Sequence, residues 1–178
     1  MESAALQWFA MRATYKREIK AKEYLEGKGL KVFVPMKTVV RSVRGIKRKL
    51  KEPAISSLIF VKAAKDELQR IKFGVEYLQY VTRKEGGKNM PIVVPDVQME
   101  QFMGVVQDDN IEKTFFTPQQ VNLEPGTRVR VHGGVLDGQE GVLLKVEGKR
   151  KKQFFIVLPD LVTVNVGLEN LDLLESIE

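Results

Sequence analysis

Residues 126–146, GTRVRVHGGVLDGQEGVLLKV, constrain the fold most, because they place five glycines among alternating valines. Glycine weakens a strand interior, so each one indicates a bend, a bulge or a backbone conformation with positive φ. Val129 and Val131 alternate with polar residues, and an apolar pattern resumes at Val142 and Leu144. The pattern is compatible with a phosphate-binding loop, a hairpin of a small barrel or a flexible joint.

The phosphate-binding loop is the alternative raised by the spacing of Gly133 and Gly138. That motif continues with Lys and then Ser or Thr, because an ammonium group contacts the phosphates and a hydroxyl binds magnesium. Gln139 and Glu140 occupy these two positions, and the glutamate would repel phosphate. The sequence therefore excludes a phosphate-binding loop of this class.

The C-terminal third of the chain favours the small barrel. Residues 126–178 contain five short strand-like runs: RVRVH, EGVLLKV, QFFIVL, LVTVNV and a last one near LENLDLL. Short strands at such close spacing, separated by turn residues, are typical of a small all-β barrel. We therefore predict a barrel over residues 126–178.

The N-terminal half mixes strands and helices. QWFAMRA (7–13) and SSLIFVK (56–62) predict buried strands, and Thr14 predicts the N-cap of a helix that ends near Glu26. The run RSVRGIKRKLKE (41–52) predicts a basic hairpin with its tip at Gly45. Irregular alternation of this kind indicates an α+β sandwich built on an antiparallel sheet. We predict a first domain over 1–106, a linker over the polar segment 107–125 and the barrel over 126–178.

The charge distribution separates the two halves. The formal net charge is +6, but residues 1–106 carry +10, whereas 107–121 and 122–178 each carry −2. A basic module favours a polyanionic partner. Lys16, Arg17 and Lys20 lie on one arc of the predicted helix beside Tyr24, an arrangement also expected of an ordinary solvated helix face.

Several function classes lack the residues that they need. His132 is the only histidine and there is no cysteine, so zinc sites built from several histidines or from cysteines cannot be assembled, and a lone histidine at a strand end is more often structural than catalytic. No apolar run approaches the roughly 20 residues of a membrane span. We expect a cytoplasmic binding protein rather than an enzyme, with no metal, no cofactor and no membrane partner.

The two halves together resemble one known family. The run GTRVRVHGGVLDGQEGVLLKV is similar to the KOW motif, whose modules are SH3-like barrels of about five strands. The N-terminal segments QWFAMRATYKREIKAKEYLEGKG, GIKRKLKEPAISSLIFVK and PIVVPD resemble the N-terminal domain of the NusG transcription factors, in the family's order. The segments RGIKRKLKEP and IVVP are most similar to the specialised members, RfaH and the antiterminators of capsular polysaccharide operons.

The resemblance implies a monomeric factor that docks on the clamp of RNA polymerase near the upstream fork and suppresses pausing or premature termination in specific operons. Implied polymerase contacts are Ile55, Leu58, Phe60 and Met99, although AISSLIFV lacks the aromatic-proline-x-tyrosine run of many members. Implied contacts to non-template DNA are Lys16, Arg17, Lys20, Tyr24, Arg44, Lys47, Arg48 and Lys49. The implied KOW turn comprises Gly134, Val135, Leu136, Gly138 and Gly141, where family barrels meet a termination factor or a small-subunit ribosomal protein.

Two other functions stay open at this point. A general NusG elongation factor would share the same domains, and a ribosome-associated RNA-binding protein could use the KOW barrel alone. The net acidic barrel disfavours the ribosomal alternative, because a barrel that binds ribosomal RNA is expected to be basic. The β-branched and aromatic runs FFIVL and LVTVNV also disfavour the helical C-terminal domain that RfaH can adopt.

Overall fold

The computed structural model describes residues 4–120, 126–168 and 173–177. The chain divides into two compact units, Met1–Glu100 and Gln101–Glu178. Each unit is built around its own antiparallel sheet, which confirms the predicted α+β class with a mixed N-terminal part and a small β part. The helices are α1 (Glu18–Gly27), α2 (Lys65–Lys72) and α3 (Asp96–Gln107).

Helices α1 and α2 belong to the first unit, whereas α3 includes residues of both units. The strands follow in chain order. They are β1 (Gln7–Ala13), β2 (Lys31–Phe33), β3 (Met36–Val43), β4 (Ile46–Pro53), β5 (Leu58–Ala63), β6 (Leu78–Tyr80), β7 (Thr82–Glu85), β8 (Lys88–Pro91), β9 (Val93–Val94), β10 (Lys113–Phe116), β11 (Thr127–His132), β12 (Glu140–Leu144), β13 (Gln153–Leu158), β14 (Val162–Val166) and β15 (Leu173–Ser176). Strands β3 with β4 and β7 with β8 form two separate hairpins.

The main sheet of the first unit has the order β2-β5-β1-β6, and β9 also pairs with β1. Strands β1 and β5 are at its centre, and their apolar runs are buried on both faces of the sheet. Helices α1 and α2 cover one of these two faces. A continuous core joins the strands to the helices, with Phe9, Met11, Leu25, Ile59 and Leu68 each at most 1% exposed. This core fixes the positions of the loops that carry the basic residues.

Helix α1 begins later than the sequence predicts. Tyr15 and Lys16 both have positive φ, 58° and 56°, so the backbone turns at these residues and the helix starts at Glu18. The prediction of Thr14 as the N-cap is therefore wrong: the Oγ1 hydroxyl of Thr14 donates to the carbonyl oxygen of Tyr77 at 3.4 Å instead. The N-cap position belongs to Arg17, whose side chain makes no capping hydrogen bond.

The sheet of the second unit has six strands in the order β10-β14-β13-β12-β11-β15. Strand β10 lies inside the segment 107–125 that was predicted to be linker, and all four of its residues pair with β14. The prediction that the whole segment is linker is therefore wrong for residues 113–116, which form a strand paired with β14. The division of the chain into 1–106, 107–125 and 126–178 as folding units stays a prediction.

The five predicted strands of the barrel are otherwise recovered. Strand β15 pairs with β11, and part of the run LENLDLL, residues 169–172, lies outside the described residues. Gly141 is the second residue of β12 and lies where the strands approach closely: a Cβ there would lie 2.4 Å from the carbonyl oxygen of Phe155 and 2.6 Å from the ring of Phe154. Gly126 is equally confined, since a Cβ would lie 2.3 Å from Leu144. Both glycines are required by packing.

Candidate nucleic-acid interface

A strained turn precedes α1 and projects an aromatic ring from the first unit. Tyr15 is 85% exposed, although its positive φ is uncommon for a bulky residue. Such a conformation costs about 1–3 kcal/mol and persists only where the surroundings enforce it. Here the amide of Thr14 donates to the carbonyl oxygen of Tyr77 at 2.9 Å, and the amide of Ala13 donates to that of Ser57 at 2.8 Å. The turn therefore holds Tyr15 away from the core.

Cationic side chains are arranged on the aromatic rings beside this turn. The guanidinium carbon of Arg17 lies 5.6 Å from the ring centroid of Tyr15 and 5.3 Å from that of Tyr77. The Nζ atom of Lys20 lies 5.3 Å from the same Tyr77 ring. These are cation–π distances, which fix the charged groups without neutralising them. We call Tyr15, Arg17, Lys20 and Tyr77 the Tyr77 cluster.

The predicted grouping of Lys16, Arg17, Lys20 and Tyr24 on one helix arc is wrong in its geometry. Lys16 and Arg17 precede the helix, and Tyr24 is half-buried against the core with Lys28 Nζ 5.6 Å from its ring centroid. The sequence pattern identified Arg17 and Lys20 but missed Tyr77, which strand β6 brings beside β1 from far along the chain. The role of all these residues in nucleic-acid binding stays a prediction.

A buried side chain, that of Glu18, stabilises the turn before α1. Glu18, only 3% exposed, accepts a hydrogen bond from the amide of Ser57 at 2.7 Å. Ser57 has φ 68°, so this bond holds a further residue with positive φ at the entrance to β5. Charged acceptors make stronger hydrogen bonds than neutral ones. Glu18 therefore ties the start of α1 to the start of β5, a role that no sequence pattern indicated.

The basic hairpin, β3 and β4, confirms the predicted tip at Gly45. Its strands pair over eight residue pairs, from Met36 with Pro53 to Val43 with Ile46. Arg44 and Gly45 form the two-residue turn with φ 52° and 79°, as a type I′ turn requires. This turn matches the right-handed twist of the strands, and it places the side chain of Arg44 at the tip.

The register gives the basic hairpin two different faces, because directly paired residues of antiparallel strands point to the same side. One face, which we call the lysine face, carries Lys47, Lys49 and Lys51 at alternate positions of β4. The opposite face, the arginine face, carries the pair Arg41 and Arg48 between the apolar pairs Val39–Leu50 and Val43–Ile46. Residues 40–51 are all exposed, so both faces are open to a partner.

One acidic residue stands among these cations at the base of the hairpin. Arg41 Nη2 lies 2.6 Å from Glu52 Oε2, and this hydrogen bond lowers the pKa of Glu52. Partial desolvation opposes the shift, whereas the charges of Arg41, Lys37 and Lys16 lower the pKa further. The charge of Lys16 also acts on Glu52, so the turn before α1 lies near the base of the hairpin.

The predicted polymerase contacts lie in a different environment. Phe60 and Met99 are fully buried, and Ile55 and Leu58 are 8% and 6% exposed. Phe60 packs on Phe33, with ring centroids 6.5 Å apart. In this arrangement the four residues are core residues, and their contact with polymerase stays a prediction.

The KOW turn combines a buried anchor with an exposed tip. Leu136 is 3% exposed and Val135 is 59% exposed. The amide of Gly133 donates to Asp137 Oδ1 at 2.7 Å, and the amide of Gly138 donates to the carbonyl oxygen of Val131 at 2.8 Å. Gly134 and Gly138 have φ 71° and 83°, so glycine is needed at both for the backbone conformation. Val135 is therefore the side chain that this turn presents outward.

Three other features of the described residues concern metal binding, the single histidine and membrane insertion. Among residues 4–120, 126–168 and 173–177, no three acidic or histidine side chains are grouped so that they could hold a metal ion. His132 Nε2 lies 2.6 Å from Glu175 Oε2, and this hydrogen bond lowers the pKa of Glu175. None of the described helices combines the length and the apolar character needed to cross a membrane.

The chain matches a known protein family and is similar to a solved structure. The family described as "Transcription termination factor nusG" matches residues 6–103, more than half of the chain. The chain is similar to a solved structure titled "Domain interaction in Thermotoga maritima NusG", with 20% identity, a TM-score of 0.46 and coverage of 90% of this chain and 92% of that one. None of the curated proteins compared with the chain matches it.

Proposed function

Because the chain belongs to the NusG family of transcription factors, we propose that it binds RNA polymerase during elongation and suppresses pausing or premature termination. The observation that carries this proposal is the concentration of basic residues in the first unit, in the Tyr77 cluster, Lys16 and the basic hairpin, which together we call the basic surface. A factor at the upstream fork of the transcription bubble would meet both unpaired and duplex DNA. We infer a cytoplasmic, monomeric, non-enzymatic protein.

The Tyr77 cluster suits the unpaired non-template strand. Tyr15 presents an exposed ring, and Arg17 and Lys20 hold positive charge beside it. Proteins bind single strands by this combination of base stacking and phosphate attraction, and each stacked base contributes about 1–3 kcal/mol. Tyr15 replaces Tyr24 as the stacking residue of the proposal, because Tyr24 packs on the core.

The basic hairpin suits the duplex beside the bubble. A two-stranded ribbon fits the major groove of B-form DNA, and the lysine face repeats a charge every second residue, or about 6.8 Å. Lys47 and Lys49, with Arg44 at the tip, would neutralise phosphates without reading sequence. Arg48 lies on the opposite, arginine face, where the apolar pairs favour contact with protein.

We assign the polymerase contact to the surface around Ile55, Leu58, Phe60 and Met99. Their burial means that the contact requires either a rearrangement or the participation of exposed neighbours. The exposed Val135 is the proposed contact of the second unit with a termination factor or a small-subunit ribosomal protein.

Action in specific operons, of the polysaccharide type, is the preferred form of the proposal. It rests on the similarity of RGIKRKLKEP and IVVP to the specialised members, and on a Tyr77 cluster in which rigidly held side chains could read a short unpaired element. A general elongation factor would bind every elongation complex equally.

The experiment is binding of the full chain to a polymerase elongation complex assembled on a bubble scaffold, over a range of salt concentrations. A lysine-face variant (Lys47→Gln, Lys49→Gln, Lys51→Gln) should lower the salt-dependence slope by about 3, at roughly 0.9 for each duplex phosphate. Tyr15→Ala should weaken binding about 5- to 150-fold, since stacking contributes about 1–3 kcal/mol. On a scaffold that lacks the bubble, Tyr15→Ala should no longer weaken binding, whereas the lysine-face variant should still lower the salt-dependence slope.

A control variant (Lys65→Gln, Lys84→Gln, Lys88→Gln) removes the same charge from exposed positions that are not among the residues of this surface. It should bind like the parent chain. If the control and the lysine-face variant weaken binding equally, net charge rather than the basic surface attracts the DNA. If the parent does not bind the elongation complex at all, the proposal fails.

A further inference from the structure

Strand β10 lies at one edge of the sheet of the second unit and is held there by its backbone more than by its side chains. All four of its residues pair with β14, and just before it the amide of Gly167 donates to the carbonyl oxygen of Glu112 at 2.9 Å. None of the residues 113–116 is buried, whereas four of the five residues of β14 are. An element that buries little apolar surface opens at a low free-energy cost. Strand β10 is therefore among the less firmly held parts of this sheet.

Without β10, strand β14 would present an open edge. Hydrogen-bonded pairs alternate along an antiparallel ladder, and the bond from Gly167 to Glu112 fixes which pairs these are. The next two are Asn165 with Thr114 and Thr163 with Phe116. The N–H groups of Asn165 and Thr163 therefore point to β10. An edge of this kind is a template for pairing with another extended chain.

The register defines the side chains that a replacing strand needs. Phe115 is opposite Val164, which is fully buried, so this position lies on the core side of β14. Consecutive residues of a strand point to opposite faces, and Phe116 lines a groove of about 840 Å³ on the other side. A replacing strand therefore needs two consecutive large apolar residues, one for each face.

Cations border the same groove and select the charge of its occupant. Lys145 and Lys149 line the groove, and residues 149–152 are all exposed. Residues 145–152 carry five cations against the single acid Glu147. Complementary charge attracts the right partner and suppresses partners of the wrong sign. The border of the groove therefore favours an acidic segment over a basic one.

We propose that an extended acidic segment of a partner protein, with two consecutive aromatic residues, displaces β10 and pairs with β14. In strand addition, main-chain hydrogen bonds give affinity and alternate side chains give specificity. Strand β10 is then a built-in competitor, because the apparent affinity for the partner is reduced by the fraction of chains in which the edge is free. The inference goes beyond the proposed function and uses no residue of the basic surface or of the KOW turn.

The test is fluorescence anisotropy of a labelled peptide, DEETFFDEED, with the full chain. This peptide keeps the Thr-Phe-Phe run of β10 between acidic flanks, and KKKTFFKKKK is its basic counterpart. Thr114→Pro removes an N–H group that donates to β14, so this variant should bind the acidic peptide at least tenfold more tightly than the parent. It should bind the basic peptide at least tenfold more weakly than the acidic one. Thr114→Ala keeps the N–H group and is the matched control, which should bind like the parent.

A disulfide supplies the opposite perturbation. The chain has no cysteine, and Thr114 and Asn165 are paired across the two strands, so Thr114→Cys combined with Asn165→Cys can join β10 to β14 covalently. The oxidised form should show no measurable binding of the acidic peptide, whereas the reduced form should bind it like the parent. In the parent, the acidic peptide should shift the NMR amide signals of Thr163 and Asn165.

The proposal is overturned if the oxidised form binds the acidic peptide as the reduced form does, because the peptide then adds elsewhere, for example to the outer edge of β10. It is also overturned if folded Thr114→Pro binds the peptide no more tightly than the parent. Dimerisation of Thr114→Pro without peptide would make a second copy of the chain the occupant and would overturn it as well. If Thr114→Pro unfolds the second unit, the comparison of the oxidised and reduced forms decides alone.

Discussion

Substitution of Gly141 by alanine should destabilise the second unit strongly. The added Cβ would lie 2.4 Å from the carbonyl oxygen of Phe155 and 2.6 Å from the Cε2 and Cζ atoms of Phe154. An ordinary contact begins at 3.4 Å, so β12 and β13 would have to separate by about 1 Å. That separation would weaken about two ladder hydrogen bonds, at about 0.5–1.5 kcal/mol each. Displacement of the Phe154 ring from its rotamer would add about 0.5–1.5 kcal/mol.

The sum predicts a loss of roughly 2–4 kcal/mol in the free energy of unfolding, which corresponds to a fall in Tm of about 10–25 °C for a domain of this size. The measurement is thermal unfolding of the full chain, followed by the NMR signals of Phe154 and Phe155, because Trp8 and all four tyrosines lie in the first unit. Gly138→Ala is the control, because no atom lies within 4 Å of its Cβ and only the positive φ of 83° opposes the substitution. If Gly141→Ala costs no more than Gly138→Ala, close approach of β12 and β13 is not what requires glycine.

Three further predictions concern individual parts of the chain. Leu58→Ala should lower the free energy of unfolding of the first unit by about 2–4 kcal/mol, as for a core leucine; a stable variant with weakened polymerase binding would instead support a surface role. A C-terminal fragment that begins at residue 107 should unfold at a higher temperature than one that begins at 126, because β10 pairs with β14; equal Tm values would show that β10 adds nothing. Arg41→Gln should raise the pKa of Glu52, followed by carboxyl NMR, since its hydrogen bond lowers it. The lowered pKa of Glu52 stabilises the fold above the unfolded pKa, and this contribution is lost as the pH falls through the folded pKa.

The sequence predicted those features that depend on local patterns. Alternating valines and glycines indicated the strands β11 and β12, and the isolated Gly45 within a basic run indicated the hairpin tip, because turn geometry requires positive φ there. The order of an α+β part followed by a β part was also predictable, since both patterns are continuous in the chain.

The sequence could not predict features that depend on tertiary contacts. Tyr15 and Lys16 interrupt the helical pattern only because the turn is bonded to Tyr77, more than sixty residues away. The short run KTFF of β10 has no alternation that distinguishes it from a loop, and it becomes a strand because β14 offers an open edge. Register separates the lysine face from the arginine face, so a count of charges over 41–52 could not distinguish them.

The measurement that tests the central claim most directly is a map of the chain's position along transcribed genes, compared with that of RNA polymerase in the same cells. A NusG-family factor with the proposed function should be found on DNA only where polymerase is elongating, and within one or a few long operons if it is specialised. The Tyr15→Ala variant should lose this enrichment while it remains folded. Occupancy of every transcribed gene would indicate a general factor. Absence from transcribed DNA, with recovery in ribosomal fractions, would contradict the account.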